Sequence, residues 1–174
     1  MVWMDLLKSQ IESAYASADG LIGMVSDDEL GWKPETGENW MTVGQLLRHL
    51  TDACGAPCKG FVTGDWGMPE GADMSELPPE EMLPPAEKFP TIDTVADAKR
   101  LLAEDKAVAL KMIEQSGEED LGNRKVTAPW NPREMVLGRQ LFQMIGHLEQ
   151  HKAQLFYYLK LQGKPVDTRH LWGM

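Results

Sequence analysis

Apolar residues recur every three or four positions in four stretches of the chain, a spacing that is typical of amphipathic helices. The four predicted helices cover about residues 3–25, 42–55, 94–117 and 134–162. Thr42 and Thr94 suit helix N-caps, because each is a hydroxyl residue directly before an apolar-periodic run. Gly163 and Pro165 suit the end of the last helix.

The connections between these helices differ in length and composition. Residues 64–92 contain six prolines and many acidic residues without a clear period. Residues 118–133 favour at most a brief extended piece in RKVTAPW, and we expect no sheet because no stretch alternates strongly. We therefore predict an all-α fold, a four-helix bundle with long crossover connections, in a single domain that spans residues 1–174.

Charge and hydropathy exclude several functions. The chain has 27 acidic and 17 basic residues, so its net charge of −10 opposes binding to nucleic acid. No apolar run approaches the roughly 18 residues of a membrane span, and the N-terminal segment carries acids where a signal peptide would be apolar. We expect a cytoplasmic protein without membrane contact, in which Cys54 and Cys58 are buried free thiols.

Three of the four histidines lie at the edges of predicted apolar faces. His147 and His151 are one helical turn apart in MIGHLEQHKAQL, which separates their Cβ atoms by about 5–6 Å. His49, in LLRHLTDA, has the same angular offset from the apolar stripe of its own helix. Such a set can bind one divalent ion, but half-buried histidines also occur without metal, so both interpretations stay open here. His170, in the C-terminal tail, is expected to take no part.

These segments carry a resemblance to a known family. ENWMTVGQLLRHLTDA, the segment around Trp130 and HLEQHKAQLFYYLKLQGKPV resemble the DinB/YfiT-like superfamily of metal-binding four-helix bundles. The resemblance implies that His49, His147 and His151 are ligands of a divalent metal. Lys152 and Ala153 replace the arginine and the glycine of the family motif HRGQL. Neither position is a ligand position. Zinc or nickel suits the donor set, with iron and manganese as further options.

The resemblance also implies a chemistry. Three protein ligands leave coordination positions open, as in catalytic sites. The resemblance implies a metal-dependent thiol S-transferase or a related metal-activated enzyme that acts on a small-molecule substrate, with a low-molecular-weight thiol as one candidate. A non-catalytic metal-binding, interaction or structural bundle is one alternative, and a metal-dependent hydrolase is another. No catalytic residue and no organic cofactor site is predicted. Asp52 and Glu149 point away from the histidines on a helical wheel, whereas Gln154, nearer the side of His147, is a candidate for orienting a ligand.

Two expectations concern surfaces. The crossover of residues 64–92 is either a wall of the metal pocket or a solvated connector, since long loops serve both purposes. The resemblance implies a homodimer, for which aromatic residues near the helix ends offer contacts or else pack in the core. These residues are Trp3, Trp172, Tyr157 and Tyr158.

Overall fold

Long helices account for most of the structure, a computed structural model that describes residues 2–68, 78 and 84–174. The elements are α1 (Trp3–Ile22), α2 (Val43–Leu50), α3 (Gly55–Thr63), α4 (Val95–Asn123), β1 (Lys125–Ala128), β2 (Asn131–Val136), α5 (Leu137–Leu161) and α6 (Thr168–Trp172). None of the described helices combines the length and the apolarity that crossing a bilayer would require.

The long helices pack side by side around an apolar core. Helix α4 lies against α1 and α3, and α5 lies against α1, α2 and α3. The apolar stripes of these helices are fully buried, and they include Leu7, Ile11, Leu46, Leu50, Ile113, Leu148 and Leu155. The predicted all-α bundle is therefore confirmed, with α2 and α3 together filling its second position.

The second bundle helix breaks earlier than the sequence predicted. Helix α2 ends at Leu50, before the predicted end near residue 55, and Gly55 and Pro57 lie in the first turn of a new helix. Proline is tolerated there because its missing N–H lies among those that have no partner within the helix. The N–H groups of Gly55 and Ala56 donate to the two carboxylate oxygens of Asp105, each at 2.9 Å. A carboxylate from α4 thus caps α3.

Other helix limits follow the predicted signals more closely. The hydroxyls of Thr42 and Thr94 each accept a hydrogen bond from the backbone N–H three residues further on, as predicted for N-caps. At Gly117 the backbone leaves helical geometry, with φ 69° and ψ 165°, as the predicted stop requires. The chain then turns helical again as far as Asn123, because Leu121 is drawn completely into the core.

Residues 125–136 form a two-stranded antiparallel hairpin, which corrects the prediction that the chain contains no sheet. Ala128 pairs with Asn131 beside the turn. The sequence signal is weak because both strands are largely exposed, so they lack the alternation of a half-buried strand. The last bundle helix consequently begins at Leu137 and not at Glu134.

The C-terminal tail is also helical, which the sequence did not predict. His170 lies in α6, and Asp167 caps that short helix by accepting from a backbone N–H two residues later. The buried Lys152 ammonium of α5 anchors α6, since it donates to the Leu171 carbonyl at 2.9 Å and to the Ser17 hydroxyl at 3.2 Å.

The end of the long crossover returns along α2. The amide nitrogen of Gln45 donates to the carbonyls of Ala86, at 3.0 Å, and Phe89, at 2.9 Å. This part of the crossover is therefore tied to the helix that carries His49. The prediction about the crossover also concerns residues 69–77 and 79–83, which lie outside the described residues.

Candidate metal centre

His49 from α2 meets His147 and His151 from α5 at one point. The Nε2 atom of His49 lies 3.2 Å from that of His147 and 3.1 Å from that of His151, and the latter two are 3.0 Å apart. The structure thus brings together the three histidines that the sequence singled out. His170 lies outside this group, with its Nδ1 3.0 Å from the Asp167 carboxylate.

The spacing of the three nitrogens suits a small divalent ion. With bonds of about 2.0–2.1 Å, separations of 3.0–3.2 Å correspond to nitrogen–metal–nitrogen angles of about 91–106°. These angles lie between the ideal octahedral value of about 90° and the tetrahedral value of about 109°. Three nitrogen donors in this arrangement could therefore hold a divalent metal ion.

A helix break orients the ring of His147. Its Nδ1 lies 3.0 Å from the carbonyl oxygen of Ala53, which can only accept, so Nδ1 carries the hydrogen. In a continuous helix that carbonyl would accept from the N–H of residue 57, but Pro57 has no N–H. The proline thereby leaves the carbonyl free for His147 and leaves the Nε2 lone pair of the neutral ring facing the other histidines.

A chain of hydrogen bonds orients His151. The hydroxyl of Tyr158 donates to the Met41 carbonyl at 3.0 Å, so it accepts from the amide nitrogen of Gln154 at 3.1 Å. This turns the Gln154 carbonyl oxygen toward Nδ1 of His151, 3.1 Å away, which must then donate. The sequence had placed Gln154 on the side of His147; the structure corrects this to His151, three residues earlier on the same helix face.

The resulting electrostatics favour a bound cation. The two Nε2 lone pairs of His147 and His151 face each other at 3.0 Å with no hydrogen between them when both rings are neutral. Burial lowers the pKa of all three rings, and for His49 the neighbouring His151 and His147 add to the effect and bring the pKa to about 3. A proton is therefore disfavoured at neutral pH, whereas a divalent cation placed between the rings could relieve the repulsion.

His49 is held by looser contacts than its partners. Its ring lies edge-on to that of Phe89, with ring centres 5.1 Å apart. Its Nδ1 is 3.9 Å from the Asp52 carboxylate, which corrects the prediction that Asp52 points away, because α2 ends at Leu50 and Asp52 lies in the turn that follows, where a helical wheel no longer applies. Asp52 itself bonds Arg48 at 2.7 Å, and burial raises its pKa to about 6 against the opposing effect of that guanidinium. Glu149 does turn elsewhere and pairs with the Lys152 ammonium.

A cavity of about 840 Å³ opens onto the three histidines, a size within the usual range for small-molecule sites. Its walls come from α5, from the hairpin turn and from the end of the crossover. Apolar side chains dominate, namely Met41, Pro57, Pro84, Ala86, Phe89, Trp130, Phe142 and Met144, with Asn39, Gln143 and Gln150 as neutral polar members. The described end of the crossover thus forms part of the pocket wall, as one of the two hypotheses expected.

Sequence reasoning missed the aromatic residues of the site. Phe89 and Phe142 belong to no recognisable motif, and only the folded chain brings them to the histidines. Tyr158, considered as a dimer contact, is instead 2% exposed, and Trp3 packs against the core. Tyr157 remains exposed, so the homodimer stays a prediction.

The two cysteines are buried free thiols, as predicted.

Comparison with known proteins gives a family and no characterised relative. The family model described as the DinB superfamily matches residues 10–155, a span that includes all three histidines. No curated protein matches the chain significantly. The resemblance that the histidine segments suggested is confirmed by this match.

Proposed function

The chain belongs to the DinB superfamily, and from that premise we propose that it is a metal-dependent thiol S-transferase. The substrates are a low-molecular-weight thiol and a small electrophile. The observation that carries the proposal is the convergence of three neutral imidazole nitrogens on an open cavity of about 840 Å³. A purely structural metal site is usually closed by four protein ligands and needs no such cavity.

His49, His147 and His151 would hold the metal through their Nε2 atoms. When held there, a divalent ion would lower the pKa of a thiol, so that the thiolate would be available at neutral pH. Zinc or nickel matches imidazole and sulfur donors better than manganese does, and iron is also compatible with imidazole.

The chain's own residues would position the substrates and keep water away from the reacting groups. The transfer forms a carbon–sulfur bond, while a leaving group departs with its electron pair and the thiol proton passes to solvent. Among the described residues no carboxylate lines the cavity, so acid–base catalysis has no obvious agent there. Phe89 and Met144 instead exclude water beside the histidines, and water is the nucleophile that would compete with the thiol.

Metal removal tests the proposal. Protein purified without an affinity tag is analysed for bound metals and assayed for addition of 2-mercaptoethanol to 1-chloro-2,4-dinitrobenzene, which releases chloride. We expect turnover to disappear after chelation and to return with zinc or nickel. The His151→Ala variant should lose both metal and turnover, because it removes one of only three protein ligands.

The control is His170→Ala, which should keep both properties because His170 lies apart from the three histidines. Thiol transfer that persists without metal would contradict the proposal. Hydrolysis of 4-nitrophenyl acetate without thiol transfer would favour the hydrolase alternative, and tight metal binding with neither activity would favour a non-catalytic protein.

A further inference from the structure

The walls of the cavity indicate which substrates the site accepts. We infer that the group held beside the histidines is uncharged and aromatic, and that anionic compounds of the same shape are rejected. This inference rests on the proposed function, because it names the substrate class of the same site. It depends on the aromatic surfaces of the cavity and on the charges of its walls.

Aromatic side chains from three separate segments face the cavity. Phe89 comes from the crossover, Trp130 from the hairpin turn and Phe142 from α5. Trp130 and Phe142 are 39% and 43% exposed, so each presents apolar surface to the cavity. An aromatic ring placed here would be removed from water on several sides.

The position of Trp130 is fixed before any ligand arrives. Its ring packs edge-to-face with Trp66, with centres 5.7 Å apart, and with Phe61, with centres 6.0 Å apart. Phe61 is buried in α3, so the cluster connects the hairpin turn to the bundle. A preorganised aromatic wall binds a flat ligand at low entropic cost.

In the part of the wall that the structure describes, no charged side chain faces a ligand. Among the described residues that line the cavity, none is Asp, Glu, Lys or Arg. Residues 69–83, which precede the cavity residue Pro84, contain five acids and no Lys, Arg or His, so they supply no cation either. The nearby guanidinium of Arg48 is already paired with Asp52.

An anionic ligand would therefore lose its hydration without gaining a cationic partner beyond the metal. The net charge of −10 further opposes its approach. Discrimination against a charged analogue of equal shape is thus built into the walls. A neutral aromatic ligand meets no such penalty.

A pair of matched probes without thiol groups tests the inference. In cobalt(II)-loaded protein, 4-phenylimidazole and 4-(1H-imidazol-4-yl)benzoic acid are titrated while the visible absorption of the metal is followed. We expect the neutral probe to bind at least tenfold more tightly than the benzoate, about 1.4 kcal/mol. Unsubstituted imidazole should also bind at least tenfold more weakly than 4-phenylimidazole, because it leaves the aromatic walls uncovered. Equal affinities of the neutral and anionic probes would overturn the inference.

Variants connect the preference to the walls. Trp130→Ala and Phe142→Ala should each reduce the advantage of 4-phenylimidazole over imidazole severalfold, whereas Tyr157→Ala, an exposed aromatic of α5 outside the cavity, should not. Gln143→Lys places a cation on an exposed position of the wall and should raise the affinity for the benzoate at least tenfold. A lysine variant with unchanged affinity for the benzoate would count against the assignment of the walls.

The same titrations separate this inference from the proposed function. If the cobalt protein binds the neutral probe selectively but never transfers a thiol, the substrate class holds and the reaction is wrong. If thiol transfer occurs with equal preference for neutral and anionic substrates, the reaction is right and the substrate class is wrong. Should no metal bind, quenching of tryptophan fluorescence by the two probes in the metal-free protein still decides the inference. The neutral probe is again expected to bind more tightly. Equal dissociation constants of the two probes in this titration would overturn the inference.

Discussion

Two residues that would not bind the metal determine how the histidines present their nitrogens. Pro57 leaves the Ala53 carbonyl without its helical donor, and that carbonyl fixes the hydrogen of His147 on Nδ1. Gln154 does the same for His151 through its amide oxygen. Hydrogen bonds of this kind, to the second ring nitrogen of a ligand histidine, typically contribute 10–100-fold to metal affinity.

Removing the Gln154 amide tests this effect. In Gln154→Ala the ring of His151 loses its acceptor, so we expect zinc affinity to fall by about 10–100-fold while the fold is retained. Calorimetric titration of the metal-free protein measures it. Gln150→Ala is the matched control, since Gln150 lines the cavity from the same helix and makes no hydrogen bond to a histidine among the described contacts. Equal dissociation constants for wild type and Gln154→Ala would show that the amide does not position His151.

The depressed histidine pKa values predict how stability depends on pH. The folded metal-free protein binds fewer protons than the unfolded chain once the pH falls below about 6.5, the ordinary histidine pKa. The contribution of the neutral histidines to the free energy of unfolding should therefore be complete above that pH. It should decline as the pH falls toward the folded pKa, which for His49 is about 3. The upper limit is about 1.4 kcal/mol per pH unit for each such histidine. Urea unfolding at pH 7 and pH 5 should show a smaller decline in His49→Leu than in wild type, and equal declines would contradict the assignment.

At the scale of elements, the sequence predicts what is periodic and misses what depends on distant partners. The apolar stripes and threonine caps located the long helices because both signals are local. The break between α2 and α3 was misplaced because its stabilising group, Asp105, lies 50 residues away on α4. The hairpin was missed because its strands are exposed. Within the site, the three histidines carried a helical spacing, whereas Tyr158 acts through the distant Met41 carbonyl.

The α3 cap should be essential for stability. Asp105 is 6% exposed and accepts from the Tyr15 hydroxyl at 2.6 Å as well as from two backbone N–H groups. Asp105→Ala leaves these three donors unsatisfied in the interior, so we expect the free energy of unfolding to fall by about 2–4 kcal/mol. Urea denaturation measures the loss. Glu104→Ala, at an exposed neighbour whose carboxylate pairs with Arg100, should change stability by less than about 0.5 kcal/mol. A loss below 1 kcal/mol in Asp105→Ala would mean that the cap contributes little.

At the scale of the whole molecule, the candidate metal centre and the pocket wall share α5 but differ in their other supports. The histidines lie on α2 and α5, whereas the wall also includes the hairpin turn and the crossover end. Besides its bonds to Gln45, that end is held by the Ala86 N–H, which donates to the Asn39 side chain at 2.7 Å. Changes in the rest of the crossover should therefore affect substrates more than metal.

Replacing residues 72–82 with a short Gly-Ser linker tests this separation. Metal affinity should stay within about twofold of wild type, because the histidines and the hydrogen bonds of Ala86 and Phe89 are untouched. If the pocket-wall hypothesis for the crossover also holds for this segment, kcat/KM for thiol transfer should fall at least tenfold, about 1.4 kcal/mol of transition-state stabilisation. We expect that result. Unchanged kcat/KM would show that the segment is only a connector, and a loss of metal affinity would show that the crossover supports the histidines after all.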